Sequence, residues 1–306
     1  MNSIKIVATG RYLPKNEVKS EDIENQNNLE KEYIKKRTGI DTRYYSTNED
    51  LEDLAIGCIK DLLNKNKNID LNDTDMIITA STTYDDMMPS LSFKIQEYFN
   101  IEKCMCLDVL AGCSGYINAL DIAQKYIATL TVKNALVIGV DILSKNKYDD
   151  IKTKILFGDG AGCIYLEATN EKKEYVSNIK SFKDSNNILT CNMEHELFMN
   201  GKEVYKFATS KTVENINEII EKSKEKIEDI KFVIPHQSNI KILEKICKKT
   251  GANMYTNIKR YGNTFCASIP IALDELFEFN QIKENDKIIL LGYGGGLNLG
   301  SILMEV

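Results

Sequence analysis

The sequence lacks an apolar run long enough to cross a membrane, a large excess of charge, and more than two histidines. No stretch approaches the ~20 apolar residues that a membrane-spanning helix needs, so an integral membrane protein of that kind is excluded. A formal net charge of −6 argues against non-specific nucleic-acid binding. Because only His195 and His236 are present, any imidazole chemistry has two candidates.

The cysteines are spread singly along a chain of 306 residues that is 43% hydrophobic, ample for a large core. They are Cys58, Cys104, Cys106, Cys113, Cys163, Cys191, Cys247 and Cys266. This distribution predicts reduced thiols and a cytoplasmic protein, and the first residues show no signal peptide. Cys104 and Cys106 form one C-x-C pair without a second pair, so we expect no metal site.

Short apolar runs and amphipathic segments alternate along the chain, which indicates an α/β fold. The runs predict strands at residues 4–9, 76–80, 104–109, 135–140, 163–166, 232–235, 288–291 and 301–304. One helix is predicted to run from a cap at Asn48 to residue 66, and a second from a cap at Ser90 to residue 99. Four more are predicted over residues 116–128, 204–226, 239–249 and 268–279. The polar segment 169–202 is predicted to be irregular.

The order of the elements repeats in the second half of the chain. Met76 and Cys113 are 37 positions apart, and Phe232 and Ala267 are 35 positions apart. We therefore expect two similar halves, residues 1–168 and 169–306, packed as one body. The glycine-rich turn at residues 158–162 does not match G-x-G-x-x-G, so a dinucleotide site is rejected.

Cys113 follows an apolar run and stands where a helix is predicted to begin, within Ala-Gly-Cys-Ser-Gly. Unpaired N–H groups and the positive end of a helix dipole stabilise a thiolate at such a position. Gly112 and Gly115 would permit a tight turn and close approach of a substrate. The pattern therefore predicts a nucleophile, although a small residue chosen for tight packing would leave the same local pattern.

His236 and Asn263 are the predicted partners of Cys113. His236 follows a predicted strand and precedes polar residues, and strand ends of this kind open onto the crevice of an α/β sheet. Asn263, in Tyr-Gly-Asn-Thr, is by itself as typical of a turn. Together an imidazole and a carboxamide can donate hydrogen bonds to an enolate oxygen without supplying a general base. His195 has no such setting and is predicted to lie on the surface.

Two further patterns are open to more than one interpretation. Gly294-Gly295-Gly296 follows a strand, and its exposed N–H groups can contribute to an oxyanion hole with the N–H of Cys113 or can form a plain turn. The predicted helix after His236 has a basic face, followed by Lys259 and Arg260. The basic face of this helix comprises Lys241, Lys245, Lys248 and Lys249. It is either solvated or a docking site for an acidic carrier protein.

Seven segments, in order and spacing over essentially the whole chain, resemble the β-ketoacyl-acyl carrier protein synthase III family of the thiolase superfamily. They are Val-Ala-Thr-Gly-Arg-Tyr-Leu-Pro from Val7, Arg-Thr-Gly-Ile from Arg37, Asp-Val-Leu-Ala-Gly-Cys-Ser-Gly-Tyr from Asp108, Phe-Gly-Asp-Gly-Ala-Gly from Phe157, Pro-His-Gln-Ser-Asn from Pro235, Gly-Asn-Thr from Gly262 and Gly-Gly-Gly from Gly294. This set is far more specific than any one motif.

The resemblance implies a thiolase-like homodimer with two pseudo-repeated halves in α/β/α/β/α layers. It implies that Cys113 takes an acyl group from an acyl-CoA, with the N–H groups of Cys113 and Gly295 as the oxyanion hole. His236 and Asn263 would then hold the thioester oxygen of malonyl-acyl carrier protein during decarboxylation and condensation. No metal or redox cofactor is implied; the acyl-CoA is a substrate.

The same resemblance assigns peripheral roles. Tyr33, where many members have a tryptophan, and Arg37 would bind CoA, whereas Ile151 replaces an arginine that often covers the adenine. Met88 aligns with a phenylalanine that shapes the acyl pocket. Carrier docking is assigned to Lys248, Lys249 and Arg260.

Three other functions remain open at this stage. A specialised acyltransferase of secondary metabolism would keep the same residues. A cysteine hydrolase would also use Cys, His and Asn in this chain order, but the cysteine motif of papain-like proteases is absent. A non-catalytic scaffold is disfavoured by the intact Cys–His–Asn set.

Overall fold

The computed structural model describes residues 3–306, which form strands and helices in alternation. The strands are β1 (Ser3–Tyr12), β2 (Asn16–Lys19), β3 (Thr42–Tyr45), β4 (Met76–Ala80), β5 (Met105–Val109), β6 (Asn134–Asp141), β7 (Lys147–Tyr148), β8 (Gly160–Thr169), β9 (Tyr175–Ser181), β10 (Leu189–Cys191), β11 (Glu196–Met199), β12 (Phe232–Pro235), β13 (Lys287–Gly294) and β14 (Asn298–Glu305). The helices are α1 (Ser20–Gln26), α2 (Tyr33–Thr38), α3 (Leu51–Lys65), α4 (Leu91–Tyr98), α5 (Gly115–Ala128), α6 (Ile151–Lys154), α7 (Gly201–Ser223), α8 (Ile240–Thr250), α9 (Ile258–Tyr261) and α10 (Ser268–Glu278).

Two mixed sheets repeat one topology. The first has the order β1-β8-β6-β4-β5, and the second has the order β12-β13-β14-β9. In both, one strand (β4 or β12) pairs in parallel with a second (β6 or β13), which pairs antiparallel with a third (β8 or β14). A parallel bridge from Val233 to Met254 occupies the place that β5 has in the first sheet. The predicted repeat of the two halves is therefore visible in the strand order.

The layers follow from which side chains are buried on each face. Helix α3 packs on the outer face of the first sheet through residues such as Leu54 and Ile59. Helices α5 and α10 lie between the sheets, where Leu120 and Leu273 share one apolar cluster with residues of both sheets. Helices α7 and α8 cover the outer face of the second sheet. This is the predicted α/β/α/β/α order.

Three local predictions are corrected by hydrogen bonding. The N-cap of α3 is Asp50 and not Asn48, because Asp50 and Asp53 each accept a hydrogen bond from the backbone N–H of the other. Ser90 does precede α4, but its hydroxyl donates to Asp108 instead of capping the helix. The glycine-rich turn at residues 158–162 is shorter than predicted, because β8 already begins at Gly160.

The largest error concerns the segment 169–202, which is not irregular. It contains β9, which forms an edge of the second sheet, and the short strands β10 and β11, which form a small sheet with β7. Most residues of β9, β10 and β11 are only partly buried or exposed, so no continuous apolar run marked these strands in the sequence. The predicted boundary between residues 168 and 169 falls at the last residue of β8 in the first sheet and stays a prediction.

A buried ion cluster joins the two halves. The Asp274 side chain in α10 is 1% exposed and contacts the charged groups of Arg11 in β1 and Lys65 in α3. Thr9 also donates a hydrogen bond of 2.6 Å to its Oδ1 atom. Removing one partner of a buried ion pair leaves uncompensated charge and is strongly destabilising.

We expect Asp274→Asn to lower the free energy of unfolding by about 3 kcal/mol, measured by urea denaturation. Glu167→Gln is the control, because Glu167 pairs with Lys5 on the surface and its loss should cost less than about 1 kcal/mol. Equal losses in the two variants would show that the buried cluster contributes no more than a surface pair.

Candidate active site

Cys113 lies at the start of α5, in a 3-10 turn at Gly112–Ser114 that follows β5. Two glycines create the room around it. A Cβ atom on Gly294 would lie 2.7 Å from the Cys113 Sγ atom, and one on Gly112, whose φ is 58°, would lie 2.7 Å from the carbonyl oxygen of Gly295. Any other residue at these positions would collide with the site or strain the turn.

The electrostatics of the Cys113 thiol differ from the sequence-based expectation. Burial raises its pKa to about 12, and the buried carboxyl group of Asp141 adds to the rise. The backbone N–H groups of Gly295 and Cys113 hydrogen-bond to the sulfur and oppose that rise without cancelling it. The thiol is therefore protonated near neutral pH in the free protein, because desolvation outweighs the favourable N–H groups.

His236 follows β12, and its ring is 2% exposed. Burial lowers its pKa to about 3, although a hydrogen bond with the backbone of Phe265 opposes the shift, so the imidazole is neutral at physiological pH. Its Nδ1 atom lies 2.7 Å from the hydroxyl of Ser268. The ring is packed edge-on against Tyr293. These contacts fix the orientation of the ring.

Asn263 is held by its own backbone and by that of Phe265. Its N–H donates to Leu156 and its carbonyl accepts from Gly158, which places it in a bridge beside Phe157. Its side-chain Oδ1 atom accepts a hydrogen bond of 3.1 Å from the N–H of Phe265. The carboxamide oxygen is thus engaged, and the amide nitrogen is available to donate to a substrate oxygen.

Cys113, His236 and Asn263 line one cavity of about 190 Å³. Around the cysteine its wall is apolar, with Phe157 stacked on Tyr148 and meeting Phe265 edge-on. Further lining side chains are Leu156, Leu189, Met199, Val204, Tyr205, Ser238, Asn239, Lys241, Ile242 and Tyr293. The site therefore combines a thiol, two backbone N–H groups and two hydrogen-bonding side chains beside an apolar chamber.

Two findings concern other kinds of site. Among residues 3–306, no group of three or more His, Cys, Asp or Glu side chains is arranged to hold a metal ion. Over the same residues, every helix is too short or too polar to span a bilayer.

Comparison with known proteins assigns the family. The model for 3-oxoacyl-[acyl-carrier-protein] synthase III matches residues 107–185, and the model for the C-terminal part of that synthase matches residues 220–306. The chain is 38% identical to the β-ketoacyl-[acyl-carrier-protein] synthase III of Clostridium novyi, over 100% of this chain and 99% of that protein. The chain belongs to the 3-oxoacyl-[acyl-carrier-protein] synthase III family.

Solved structures of synthase III proteins have the same fold. The enzyme from Aquifex aeolicus superposes with a TM-score of 0.94 at 33% identity and covers 100% of both chains. The enzyme from Thermus thermophilus gives a TM-score of 0.93 at 31% identity and covers 98% of both chains. The predicted thiolase-like fold, family and enzyme class, an acyl-transferring condensing enzyme, are confirmed.

The predicted CoA-binding residues of this synthase III family member lie next to a residue that lines the cavity. The guanidinium carbon of Arg37 lies 4.4 Å from the centre of the Tyr33 ring. The carbonyl oxygen of Arg37 accepts a hydrogen bond of 3.2 Å from Asn239, which itself lines the cavity. Ile151 and Tyr33 pack on the same apolar cluster. The structure thus brings this pair close to the site.

The remaining predicted residues lie outside the cavity. The side chain of Met88 is 88% exposed. The ammonium of Lys249 donates to the carbonyl oxygen of Thr209, and the guanidinium of Arg260 pairs with the buried Glu275. Lys248 is exposed on α8. Of the predicted docking cations, Lys249 and Arg260 are therefore occupied by contacts within the chain.

The sequence analysis did not identify Ser268 and Phe265, which contact His236 and Asn263. Ser268 contacts His236, and Phe265 holds Asn263 through its N–H. Phe265 has a φ of 44°, a value that is uncommon for a side chain of this size. In the equivalent turn at Cys113 the first position is Gly112, whose φ is also positive. That glycine indicated that the first position of the turn at Phe265 would need a positive φ as well. No sequence signal marked the hydroxyl of Ser268.

Proposed function

We propose that this chain condenses an acyl-CoA with malonyl-acyl carrier protein and so starts fatty acid synthesis. The observation that carries the proposal is the convergence of Cys113, His236 and Asn263 on one cavity in a member of the synthase III family. The synthase III enzymes that the chain resembles carry this activity in their names.

In the first half of the reaction the sulfur of Cys113 attacks the thioester carbonyl of the acyl-CoA. The N–H groups of Gly295 and Cys113, which hydrogen-bond to the sulfur in the free protein, would hold the oxygen of the tetrahedral intermediate. The carbon–sulfur bond to CoA then breaks, and the departing CoA sulfur takes up the proton that leaves Cys113. The products are acyl-Cys113 and free CoA.

In the second half malonyl-acyl carrier protein enters the same cavity. Its carboxylate leaves as CO2, and the electron pair of the broken carbon–carbon bond forms an enolate whose oxygen accepts hydrogen bonds from Asn263 and His236. The enolate carbon attacks the acyl carbonyl, the Cys113 sulfur leaves and is reprotonated, and 3-oxoacyl-carrier protein is released. The neutral imidazole suits this role, since it can donate without acting as a strong acid.

Tyr33 and Arg37 are proposed to bind the nucleotide end of CoA. The guanidinium of Arg37 can bind a phosphate and stacks on Tyr33, and the Arg37 carbonyl oxygen accepts a hydrogen bond from Asn239, which lines the cavity. The chemistry needs no cofactor, because departure of CO2 supplies the carbanion. Free thiols at all eight cysteines support a cytoplasmic location.

We further propose a homodimer formed beside β5. This strand is at an edge of the first sheet, and large apolar side chains are exposed near it: Met87, Met88 and Leu110 are 81%, 88% and 74% exposed. An unpaired edge with apolar neighbours is a template for pairing with a second copy. A role for Met88 in an acyl pocket also requires a second copy, because Met88 lies outside the cavity of its own chain.

The double variant Met87→Asp/Met88→Asp is expected to weaken the dimer by about tenfold or more, because two charges would be buried in an apolar interface. Sedimentation velocity over a range of protein concentrations measures this change. A monomeric wild-type protein, or an unchanged dimer in the double variant, would contradict the proposed interface.

Docking of the acidic carrier is proposed on the basic face of α8. Lys248→Glu is expected to raise the KM for malonyl-acyl carrier protein about fivefold at low salt, with little change for the acyl-CoA. The control is Lys172→Glu, an exposed lysine between β8 and β9, at the opposite end of the first sheet from Cys113. If both variants keep the wild-type KM at low salt, the carrier docks elsewhere.

The proposed function is tested by incubating the wild-type protein with acetyl-CoA and malonyl-acyl carrier protein. A 3-oxoacyl product and released CO2 are expected. Acylation of Cys113 without CO2 release would instead indicate the transferase of secondary metabolism, and cleavage of a peptide or ester panel without acyl transfer would indicate a cysteine hydrolase.

A further inference from the structure

Two thiols that the proposed reaction does not use lie side by side at the start of β5. The Sγ atoms of Cys104 and Cys106 are 3.6 Å apart, and both side chains are only partly buried. Side chains two positions apart in an extended chain point to the same face, which explains the contact. Cys106 Sγ also lies 3.4 Å from Gln96 Oε1 and 3.6 Å from the carbonyl oxygen of Ser92, both in α4. The pair therefore lies on a face of the first sheet and not along the free edge of β5.

The two sulfurs are close enough for a disulfide to form with a small local movement. They would have to approach from 3.6 Å to ~2.05 Å. Residues of an extended chain advance by ~3.3 Å each, so the two Cα atoms are about 6.6 Å apart, at the upper end of the range for disulfides. Cys104 precedes the first residue of β5, so its backbone lies outside the strand pairing and can move. A bond in this stretched geometry is expected to be reduced again easily.

The surroundings give the two thiols different reactivity. The pKa of Cys106 is raised by its hydrogen bond to Cys104, by burial and by the charge of Asp108, which lies two positions later on the same face of β5. The hydrogen bond between the thiols lowers the pKa of Cys104. The thiolate is the form of cysteine that attacks an oxidant. Cys104 is therefore expected to react first, and Cys106 is the neighbour that closes the disulfide.

The other thiols of interest are less open to oxidation. Burial raises the pKa of Cys113 to about 12, so on the order of one sulfur in a hundred thousand is a thiolate at pH 7. Cys58 and Cys163 form a second pair of neighbouring thiols, but both are 0% exposed and burial raises the pKa of Cys163 strongly. The pair at the start of β5 combines proximity, access to solvent and one thiol of lowered pKa, a combination that these three cysteines lack.

We propose that Cys104 and Cys106 are an oxidation site, at which a peroxide forms a reversible disulfide before it oxidises Cys113. The Cys104 thiolate attacks one oxygen of hydrogen peroxide, the oxygen–oxygen bond breaks, and hydroxide leaves as Cys104 becomes a sulfenic acid. The Cys106 sulfur then attacks the Cys104 sulfur, and the sulfenic oxygen leaves as water with the Cys106 proton. The hydroxide takes up the proton that Cys104 had lost. Two thiols and one peroxide thus give one disulfide and two water molecules.

Mass spectrometry of the full chain tests this site without any measurement of activity. Reduced protein is treated briefly with hydrogen peroxide, unfolded, blocked with N-ethylmaleimide and cleaved before Asp108, which separates Cys104 and Cys106 from Cys113. The peptide with the pair is expected to lose about 2 Da and to bind no maleimide at doses that leave Cys113 at least about 90% labelled. Dithiothreitol should restore both labels on the pair.

Two single variants and a second thiol pair make the test specific. In Cys106→Ser the reaction should stop at a sulfenic acid on Cys104, which dimedone traps, and Cys104→Ser should slow the oxidation of residue 106 by about tenfold or more. Cys58 and Cys163 are the matched control and should keep both labels. Oxidation of Cys113 ahead of the pair, separate sulfinic acids on Cys104 and Cys106, or equal oxidation of the control pair would overturn the assignment. Failure of the wild-type protein to condense would refute the proposed function and leave this result unchanged.

Discussion

Cys113→Ala is expected to abolish the acyl-enzyme. After incubation with acetyl-CoA, intact-protein mass spectrometry should show one added acetyl group on the wild-type protein and none on the variant. The reason is chemical, because no other group in the cavity combines a nucleophilic atom with the two N–H groups that face the Cys113 sulfur. Overall condensation should fall by at least about a thousandfold with the loss of the covalent step.

Cys266 provides the stringent control for this result. It occupies, in the 3-10 turn Phe265–Ala267, the position that Cys113 occupies in its own turn. Its thiol is buried, donates to the carbonyl of Gly112 and has a strongly raised pKa because of burial. Cys266→Ala should therefore keep acylation. Acetylation that persists in Cys113→Ala and disappears in Cys266→Ala would transfer the nucleophile to the second half of the molecule.

Strands built from a short apolar run were predictable from the sequence, and strands without such a run were not. The predicted bounds of β4 and β12 agree with the structure, because every residue of β4 and all of β12 except Phe232 are buried, and buried strands read as continuous apolar runs. Strand β9 was missed, since only one of its residues is buried and its pairing with β14 depends on a partner more than a hundred residues away. The missed strands β10 and β11 are consequential, because Leu189 and Met199 line the cavity.

The candidate site was predictable where a residue type is rare and its chemistry distinctive. Cys113 and His236 each follow an apolar strand, β5 and β12, at its carboxyl end, so pattern and position agreed. The ionisation of Cys113 was not predictable, because it depends on how completely the folded chain excludes water from the sulfur, and burial raises the pKa. Ser268 was hidden for a similar reason, since its contact with His236 spans 32 residues and exists only after the second half has folded.

Asn263→Asp is expected to separate the two half-reactions most sharply. The substitution keeps the size of the side chain and one oxygen that can still accept from the N–H of Phe265. The second oxygen replaces the amide nitrogen, so a donor to the enolate becomes a negatively charged acceptor. Loss of one such donor alone slows a reaction by about a hundredfold to a thousandfold, and repulsion between the carboxylate and the enolate should bring condensation to the upper end of that range or beyond.

Acylation of Cys113 in the same variant serves as the internal control. Asn263 makes no contact with the two N–H groups that are proposed to hold the first oxyanion, so acetylation should stay within a few-fold of the wild-type rate when followed by mass spectrometry. Malonyl-acyl carrier protein decarboxylation, followed by release of labelled CO2, should fall with condensation, because the enolate forms in that step. Normal decarboxylation with blocked carbon–carbon bond formation would show that Asn263 acts after the enolate has formed and would remove it from the proposed enolate site.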